Sequence, residues 1–218
     1  MGNLVIAIDG PAGAGKSTVA QLAAKKLGYT YIDTGAMYRA VAWKVLQQPA
    51  TVTAERIVDA VKDIEVVLQY KAERTTVTVD GEDVTEAIRT PEVTAIVSQV
   101  ASLGPVREKM VDLQRIMAKR GAVVMDGRDI ATNVLPDADV KIFLTASIEE
   151  RAQRRWKELR AKGYDIDLEQ LKQEIAARDK ADSERAISPL VQAPEAQLLD
   201  TTGMTIEQVV NSILNACR

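Results

Sequence analysis

A glycine-rich segment directly follows an apolar run near the N-terminus, and this pairing constrains the fold more than any other part of the chain. Residues 10–18 read GPAGAGKST and follow residues 4–8, LVIAI. The segment matches the P-loop pattern G-x-x-x-x-G-K-[ST], in which backbone N–H groups point at phosphate oxygens. Helix-prone residues 17–27 come next, and the N-terminus of such a helix favours an anion. The sequence therefore predicts a strand, a P-loop and a helix that bind a nucleoside triphosphate.

The residues of this loop have separate predicted roles. Lys16 is expected to reach the β- and γ-phosphates and to act in catalysis, and the Ser17 hydroxyl is expected to bind Mg²⁺. The remaining predicted ATP contacts are Gly10, Pro11, Ala12, Gly13, Ala14, Gly15 and Thr18.

Composition narrows the chemistry, chiefly through the residue types that are missing. The 218 residues include no histidine and one cysteine, Cys217. Histidine general bases, Ser-His triads and histidine metal ligands are therefore excluded, which leaves carboxylates, Lys, Arg and hydroxyls. A formal net charge of -3 gives no bulk attraction to nucleic acid or to an anionic membrane. The sequence shows no evident signal peptide or membrane span, so we expect a cytoplasmic protein. We also expect it to bind neither nucleic acid nor a membrane, and to be a monomer by default.

Strand-like and helical patterns alternate along most of the chain. The predicted strands are 4–9, 29–33, 122–126, 140–145 and 197–200, and the predicted helices are 17–27, 35–47, 91–102, 105–119, 147–162, 167–180 and 205–216. Such alternation predicts a single α/β domain over 1–218, a P-loop core whose parallel sheet is flanked by helices. Ligands bind at the carboxyl ends of strands in these folds.

One segment interrupts this alternation. Residues 64–70 and 75–79 read as strands, and Asp80-Gly81 is a tight-turn signal. We therefore predict a small antiparallel sheet inserted at about 62–88. From the pattern alone, a ligand-binding role and a surface decoration are equally compatible with it.

Two strand ends carry acidic residues followed by ligand-binding residue types. In DTGAMYR, residues 33–39, the side chains of Thr34, Tyr38 and Arg39 are candidates for gripping a phosphate-bearing substrate. Residues 123–129, VVMDGRD, have the form of a Walker B strand. Asp126, together with Asp33, is therefore a candidate to support Mg²⁺ through water. The adjacent opposite charges of Arg128 and Asp129 suit an anionic substrate that also has a hydrogen-bond donor.

Arginines are dense in the C-terminal third of the chain. The predicted helix 147–162 carries Arg151, Arg154, Arg155 and Arg160, and Arg178, Asp182 and Arg185 follow at a spacing that predicts one shared helical face. A solvated ion-pair face is the ordinary interpretation of such a run. A polyphosphate transition state must be neutralised, however, which favours an arginine-rich helical lid at about 147–165.

Taken together, these motifs resemble those of bacterial cytidylate kinases, a family of P-loop nucleoside monophosphate kinases. The matching segments are GPAGAGKST, DTGAMYRA, SQVA, VRE, MDGRDIAT, VKIFLTAS, EERAQRRW and RDKADSERAISPL. The P-loop is shared by many families, whereas the combination of DTGAMYR, DGRD and RDxxDxxR is far more specific. The resemblance covers nearly the whole chain.

The resemblance implies a reaction and a set of roles. The family transfers the γ-phosphoryl group of ATP to CMP or dCMP with Mg²⁺, and its antiparallel insertion enlarges the monophosphate-binding region. By motif, the acceptor phosphate would lie among Thr34, Arg39, Arg128 and Arg185, cytosine among Ser98, Arg107 and Asp129, and the ribose at Arg178 and Asp182. Tyr38, Asp126 and Gly127 complete the expected CMP site. Arg128, Arg154 and Arg155 are the expected catalytic arginines.

Two alternatives stay open at this point. The first is a P-loop kinase for another small acceptor, such as a different nucleoside monophosphate or shikimate. The second is a nucleotide-dependent switch that transfers the phosphoryl group to water. A GTPase switch normally carries an N-K-x-D sequence, which this chain lacks.

Overall fold

A computed structural model of the chain describes residues 2–71, 74–161 and 163–218. A five-stranded parallel sheet forms its centre. Its strands are β1 (Val5–Asp9), β2 (Thr30–Asp33), β6 (Val123–Gly127), β7 (Val140–Thr145) and β8 (Gln197–Asp200). They lie side by side in the order β2-β6-β1-β7-β8. The predicted α/β fold is confirmed, and β7 and β8 have the predicted bounds.

Alternating side chains explain why helices cover both faces of the sheet. Successive residues of a strand point to opposite faces. Ile6 and Ile8 of β1 pack in one apolar cluster with residues of α1 (Lys16–Leu27) and α8 (Ile206–Ala216). Ala7 packs on the other face, in a cluster that includes residues of α5 (Gly104–Ala118). The sheet edge that carries the ligand-binding loops is therefore held between two packed layers.

The remaining helices surround the loops that follow the strands. They are α2 (Thr34–Leu46), α3 (Ala54–Lys62), α4 (Pro91–Ser102), α6 (Ile148–Ala161) and α7 (Leu168–Glu184). Side chains cap several of them at the N-terminus: the Asp33 carboxylate accepts the Ala36 N–H of α2 at 2.9 Å, and the Asp167 carboxylate accepts the Gln170 N–H of α7 at 2.9 Å. Helix α6 was predicted to end at residue 162, which lies outside the described residues.

The predicted antiparallel insertion is also confirmed. It consists of β3 (Val66–Lys71), β4 (Arg74–Val79) and β5 (Glu82–Asp83), with Asp80 and Gly81 at positive φ in the turn between the last two. The ring of Tyr70 meets the ring of Tyr31 edge-on, with 6.0 Å between centroids. This contact joins the insertion to the central sheet.

Three features differ from the sequence-based prediction. Helix α3 was not predicted, although its buried Ile57 and Val61 have the i, i+4 spacing of a helix packed on one face. Helix α7 continues four residues beyond its predicted end at residue 180, to Glu184. A π-helical turn, Ile130–Val134, follows β6.

The π-helical turn is held by a residue distant in sequence. The carboxylate of Asp9, at the end of β1, accepts the N–H groups of Ile130 and Ala131, both at 2.8 Å. The Asp129 carbonyl accepts the N–H of both Asn133 and Val134. A carboxylate that arrives through tertiary folding therefore satisfies the first N–H groups of the turn, which local sequence patterns do not reveal.

A close approach between β7 and the start of the P-loop requires glycine at position 10. Gly10 has φ +149°, and a Cβ built there would lie 1.9 Å from the carbonyl oxygen of Leu144. We expect Gly10→Ala to lower the free energy of unfolding by at least about 3 kcal/mol, because two backbone segments would have to separate. Urea unfolding measures this change.

Gly28→Ala is the matched control for that substitution. Gly28 also has positive φ, +70°, but its added Cβ would meet nothing within 4 Å. The expected loss is about 1 kcal/mol, from backbone strain alone. Equal losses in the two variants would contradict the steric explanation.

Candidate active site

The P-loop lies between β1 and α1, as predicted, and contains Gly10–Gly15 with Lys16, Ser17 and Thr18 in the first turn of the helix. Gly13 and Gly15 have φ of +73° and +88°, which side-chain-bearing residues rarely adopt. The Lys16 ammonium is buried and donates to the Pro11 carbonyl at 2.7 Å. Burial, followed by the charge of Arg128, lowers the pKa of Lys16 well below its ordinary value. Anionic phosphate oxygens in the loop would stabilise the charged form of this amine.

Asp126, near the end of β6, connects α1, β2 and the start of α2 beside the P-loop. Its carboxylate accepts the Ser17 hydroxyl at 3.0 Å and the Tyr31 hydroxyl at 2.7 Å, and its carbonyl accepts the Thr34 hydroxyl at 2.7 Å. Burial and, next, the negative charge of Asp33 raise the pKa of Asp126 to about 6. Asp33 itself pairs with Arg89 at 3.3 Å while capping α2. The two carboxylates and the Ser17 hydroxyl therefore face one region beside the P-loop.

A pocket lies beside these residues, and most of the predicted CMP-site residues line it. Its lining comes from α2, α4, α5, the end of β6, and α7 with the residue that follows it. The lining residues are Thr34, Gly35, Tyr38, Val97, Ser98, Ala101, Arg107, Gly127, Arg128, Asp129, Arg178, Asp182 and Arg185. Of the predicted CMP-site residues, Asp126 and Arg39 lie outside this lining.

Asp129 is the centre of a buried ion-pair network in this pocket. One carboxylate oxygen accepts from the guanidinium of Arg107 and from the Asn133 amide, at 3.1 Å for the latter. The other oxygen accepts from Arg185 at 3.2 Å. The ring of Tyr38 lies against Arg107, with 5.6 Å from the guanidinium carbon to the ring centroid. The carboxylate is therefore held in a single orientation at the base of the pocket.

Asp182 forms a second acidic group in the pocket. It accepts the Nε–H of Arg128 at 2.9 Å and the Ser98 hydroxyl at 3.3 Å. Although burial opposes the shift, the charges of Arg128 and Arg178 hold the pKa of Asp182 below its ordinary value. This carboxylate is therefore ionised at neutral pH.

The pocket contains more guanidinium charge than these carboxylates pair. Burial, with added repulsion from neighbouring arginines, lowers the pKa of Arg39 to about 9 and that of Arg178 to about 10. Among the described residues, the buried Nε of Arg178 has no hydrogen-bond partner. Buried donors without a partner are costly, so a site built this way suits an anionic ligand.

Arg39 lies next to the pocket but outside its lining. Its guanidinium donates to the Ile88 carbonyl at 3.3 Å and to the Thr94 hydroxyl at 2.8 Å. Its charge nevertheless interacts with those of Arg178, Asp33 and Arg155. Arg39 therefore lies at the border between the pocket and the arginines of α6.

The arginines of α6 occupy different positions. Arg154 donates to the Ala14 carbonyl of the P-loop at 3.3 Å and to the Thr201 carbonyl at 2.9 Å. Arg155 pairs with Glu158 at 2.9 Å, and its charge acts on both Arg39 and Arg178. Arg154 therefore lies beside the P-loop, and the charge of Arg155 acts on the pocket.

We predicted that Arg178, Asp182 and Arg185 share one helical face, and this prediction is wrong for Arg185. Arg185 follows the end of α7 with extended backbone, φ -62° and ψ 141°. The chain folds back there, and the Leu190 N–H donates to the Asp182 carbonyl at 2.8 Å. The Arg185 side chain still reaches Asp129, because the turn directs it into the pocket.

The sequence did not reveal the roles of Asp9, Asn133 and Asp179 near the site, and it indicated Arg151 only as one arginine of the predicted lid helix. Asp9 orients the turn after β6, Asn133 orients Asp129, and a buried pair between Arg151 and Asp179 contacts the P-loop. Asp9 ends a buried strand just before the P-loop, which is the one signal that the sequence offered. The other contacts depend on tertiary structure.

Comparison with known proteins assigns this arrangement to a family. Residues 6–218 match the family model described as cytidylate kinase. The chain belongs to the cytidylate kinase family. A cytidylate kinase from Desulfitobacterium hafniense (strain Y51) is 55% identical over 214 residues, which cover 98% of this chain and 92% of that protein. One from Bacillus cereus (strain ATCC 10987 / NRS 248) is 56% identical over 211 residues, covering 96% and 94%.

A solved structure supports the fold alone. An uncharacterized protein from Eubacterium ventriosum ATCC 27560 aligns with a TM-score of 0.55 and 10% identity, over 98% of this chain and 97% of that one. Within the part of the chain that the structure describes, no helix combines the length and apolar character needed to cross a membrane.

The family match and the two similar kinases confirm the predicted family, and with it a phosphotransferase of the cytidylate kinase type.

We expect acid to inactivate this cytidylate kinase family member through Asp126. As pH falls through about 6, this carboxyl takes up a proton and no longer accepts from both Ser17 and Tyr31. The kcat/KM for ATP should then fall about tenfold per pH unit, because this parameter reports groups of the free enzyme. A pH profile from 5 to 8 measures it.

Asp9 also has a pKa raised to about 6, chiefly by burial, so a control must separate the two carboxyls. Asp126→Asn retains Asp9 and should show lower activity without the acid limb. An acid limb that persists in this variant would assign the titration to another group.

Proposed function

We propose that this chain transfers the γ-phosphoryl group of ATP to CMP or dCMP by direct in-line transfer, giving ADP and CDP or dCDP. The observation that carries the proposal is the pocket beside the P-loop, where surplus arginine charge surrounds the buried carboxylate Asp129. The arginines suit a phosphate, and the carboxylate suits a base with an amino donor. Family membership supports ATP as the phosphate donor.

The donor half of the proposed site is the P-loop. Its amides and Lys16 would bind the β- and γ-phosphates, so that the γ-phosphorus faces the arginine-lined pocket. Lys16 is buried and close to Arg128 and Asp126, which supports a role at the boundary between donor and acceptor. Such a reaction depends mainly on positioning and charge neutralisation.

The residues near Asp126 fit a magnesium ion bound mostly through the substrate. Mg²⁺ prefers oxygen ligands and is commonly held by one or two carboxylates together with phosphates. Ser17 offers a hydroxyl, with Asp126 and Asp33 as carboxylates nearby, while the described residues contain no group of three or more Asp, Glu, His or Cys placed to hold a metal. When bound, the ion would neutralise charge on the β- and γ-phosphates.

The acceptor half divides into three parts in this proposal. Thr34, Arg39, Arg128 and Arg185 would surround the acceptor phosphate, Ser98, Arg107 and Asp129 would contact cytosine, and Arg178 and Asp182 would hold the ribose. The acceptor oxygen is already an anion, so no strong general base is required. This agrees with a chain that has no histidine.

Residues of about 147–165 form the proposed lid. Arg154 contacts the P-loop carbonyl of Ala14, and Arg155 is the α6 arginine whose charge reaches the acceptor pocket. We propose that these two arginines close over the transferring phosphoryl group and exclude water. Monomeric state, cytoplasmic location and independence from nucleic acid also stay predictions.

The decisive test is ADP production from ATP and Mg²⁺ with CMP, dCMP, UMP, AMP, GMP and TMP supplied separately. We expect strong stimulation by CMP and dCMP. Equal stimulation by UMP would contradict the role of Asp129. ADP production that ignores every monophosphate would favour a kinase for another acceptor or a nucleotide-dependent switch.

Asp129→Asn should reduce the preference for CMP over UMP by about fivefold or more. A carboxylate accepts from the cytosine amino group but meets an acceptor oxygen in uracil. A buried polar group left unpaired costs about 1–3 kcal/mol, which corresponds to this range of discrimination. The ratio of kcat/KM for the two nucleotides measures the effect.

Asp182→Asn provides the matched control. It also removes a carboxylate paired with an arginine of the same pocket, Arg128. Because its proposed partner is the ribose, it should weaken CMP and UMP alike. Parallel losses in the Asp129 variant would overturn the base-reading role.

A further inference from the structure

One residue of the P-loop is bound on both sides of its backbone by a single ion pair. The Ala12 N–H donates to the Asp179 carboxylate at 3.3 Å, and the Ala12 carbonyl accepts from Arg151 at 2.9 Å. Arg151 and Asp179 pair with each other at 2.6 Å. We refer to this arrangement of Arg151, Asp179 and Ala12 as the P-loop clamp.

In the clamp, Arg151 and Ala12 are buried and Asp179 is half-buried. The side chains of Arg151 and Asp179 are 8% and 22% exposed. Arg151 also donates to the Ala146 carbonyl at 3.0 Å, and its Cβ would lie 3.3 Å from a Cβ built at Gly13. The guanidinium is therefore fixed by three acceptors, and the P-loop cannot move far without breaking charge-assisted hydrogen bonds.

Asp179 shares its helix with two residues of the acceptor pocket. Arg178 is its immediate neighbour on α7, and Asp182 follows three residues later. Helix α7 rises about 1.5 Å per residue and is continuous through this stretch, so the three residues move together. One face of the helix thus contacts the acceptor pocket, and Asp179 contacts the donor loop.

We propose that Arg151 and Asp179 are positioning residues that couple occupancy of the acceptor pocket to the P-loop. The proposal rests on the function proposed above. An acceptor nucleotide that engages Arg178 and Asp182 fixes α7, and Asp179 then holds Ala12 in the conformation that binds the triphosphate. Coupling between two binding sites is reciprocal, so ATP must also strengthen binding of the acceptor.

Calorimetric titration of a non-hydrolysable ATP analogue, without CMP and with saturating CMP, tests the proposal. In the unaltered protein we expect CMP to increase affinity for the analogue at least about fivefold, the lower end of typical coupling. Asp179→Asn and Arg151→Lys should each reduce this factor to less than twofold. A merely structural role would lower stability but would leave the factor unchanged.

Glu169→Gln is the control on the same helix. It removes an exposed ion pair between Glu169 and Lys172 and touches neither the pocket nor the P-loop. The coupling factor should keep its original value in this variant. Retention of the original factor in both clamp variants, or absence of coupling in the unaltered protein, overturns the proposal.

CMP binding by the unaltered protein and its amide hydrogen exchange distinguish failure of this inference from failure of the proposed function. If CMP fails to bind the unaltered protein, the proposed function fails and this inference fails with it, whereas CMP binding without coupling overturns the inference alone. Should the clamp variants not fold, amide hydrogen exchange of the unaltered protein decides. CMP alone should slow exchange at residues 10–18, and an unchanged rate overturns the proposal.

Discussion

Repulsion among half-buried arginines is the interaction on which the organisation of the site depends. Arg39, Arg128, Arg155 and Arg178 lie close enough for their charges to act on one another. Such a cluster is tolerable only when rigid elements hold it and nearby carboxylates offset part of the charge. Asp182, on α7, pairs with Arg128 from the end of β6. The ion pairs that stabilise the pocket thus also leave surplus positive charge where a phosphate would lie.

The parallel sheet and the order of its elements along the chain were predictable because the apolar runs are short and four of the five strands end in glycine or aspartate. The Asp80-Gly81 turn likewise identified the insertion. The π-helical turn was not predictable, since it depends on the Asp9 carboxylate, more than a hundred residues away in sequence. Helix α3 had a usable signal in Ile57 and Val61, but it follows a loop and precedes the irregular insertion. Local patterns thus identified most elements, and the π-helical turn is the exception that a long-range hydrogen bond determines.

The same distinction applies to the site. Motif residues such as Asp129 and Arg178 were predicted because their neighbours in sequence form specific combinations, and the pocket contains both. Arg151 was noted only as one arginine of the predicted lid helix, and Asp179 was not noted, because charges on two helices resemble an ordinary solvated surface. Their partner at Ala12 is a backbone group, which has no signature in the sequence. Residues that bind substrate are therefore easier to recognise than residues that hold the binding residues in place.

The π-helical turn after β6 limits how this segment can change in length. Its N–H groups are bound by Asp9 at the start, and Asn133 within it contacts Asp129. Loss of one residue would tighten the turn to an ordinary α-helix and rotate the following positions by about 100°. Asn133 would then face away from Asp129. The number of residues in this turn is therefore set by the contacts at its two ends.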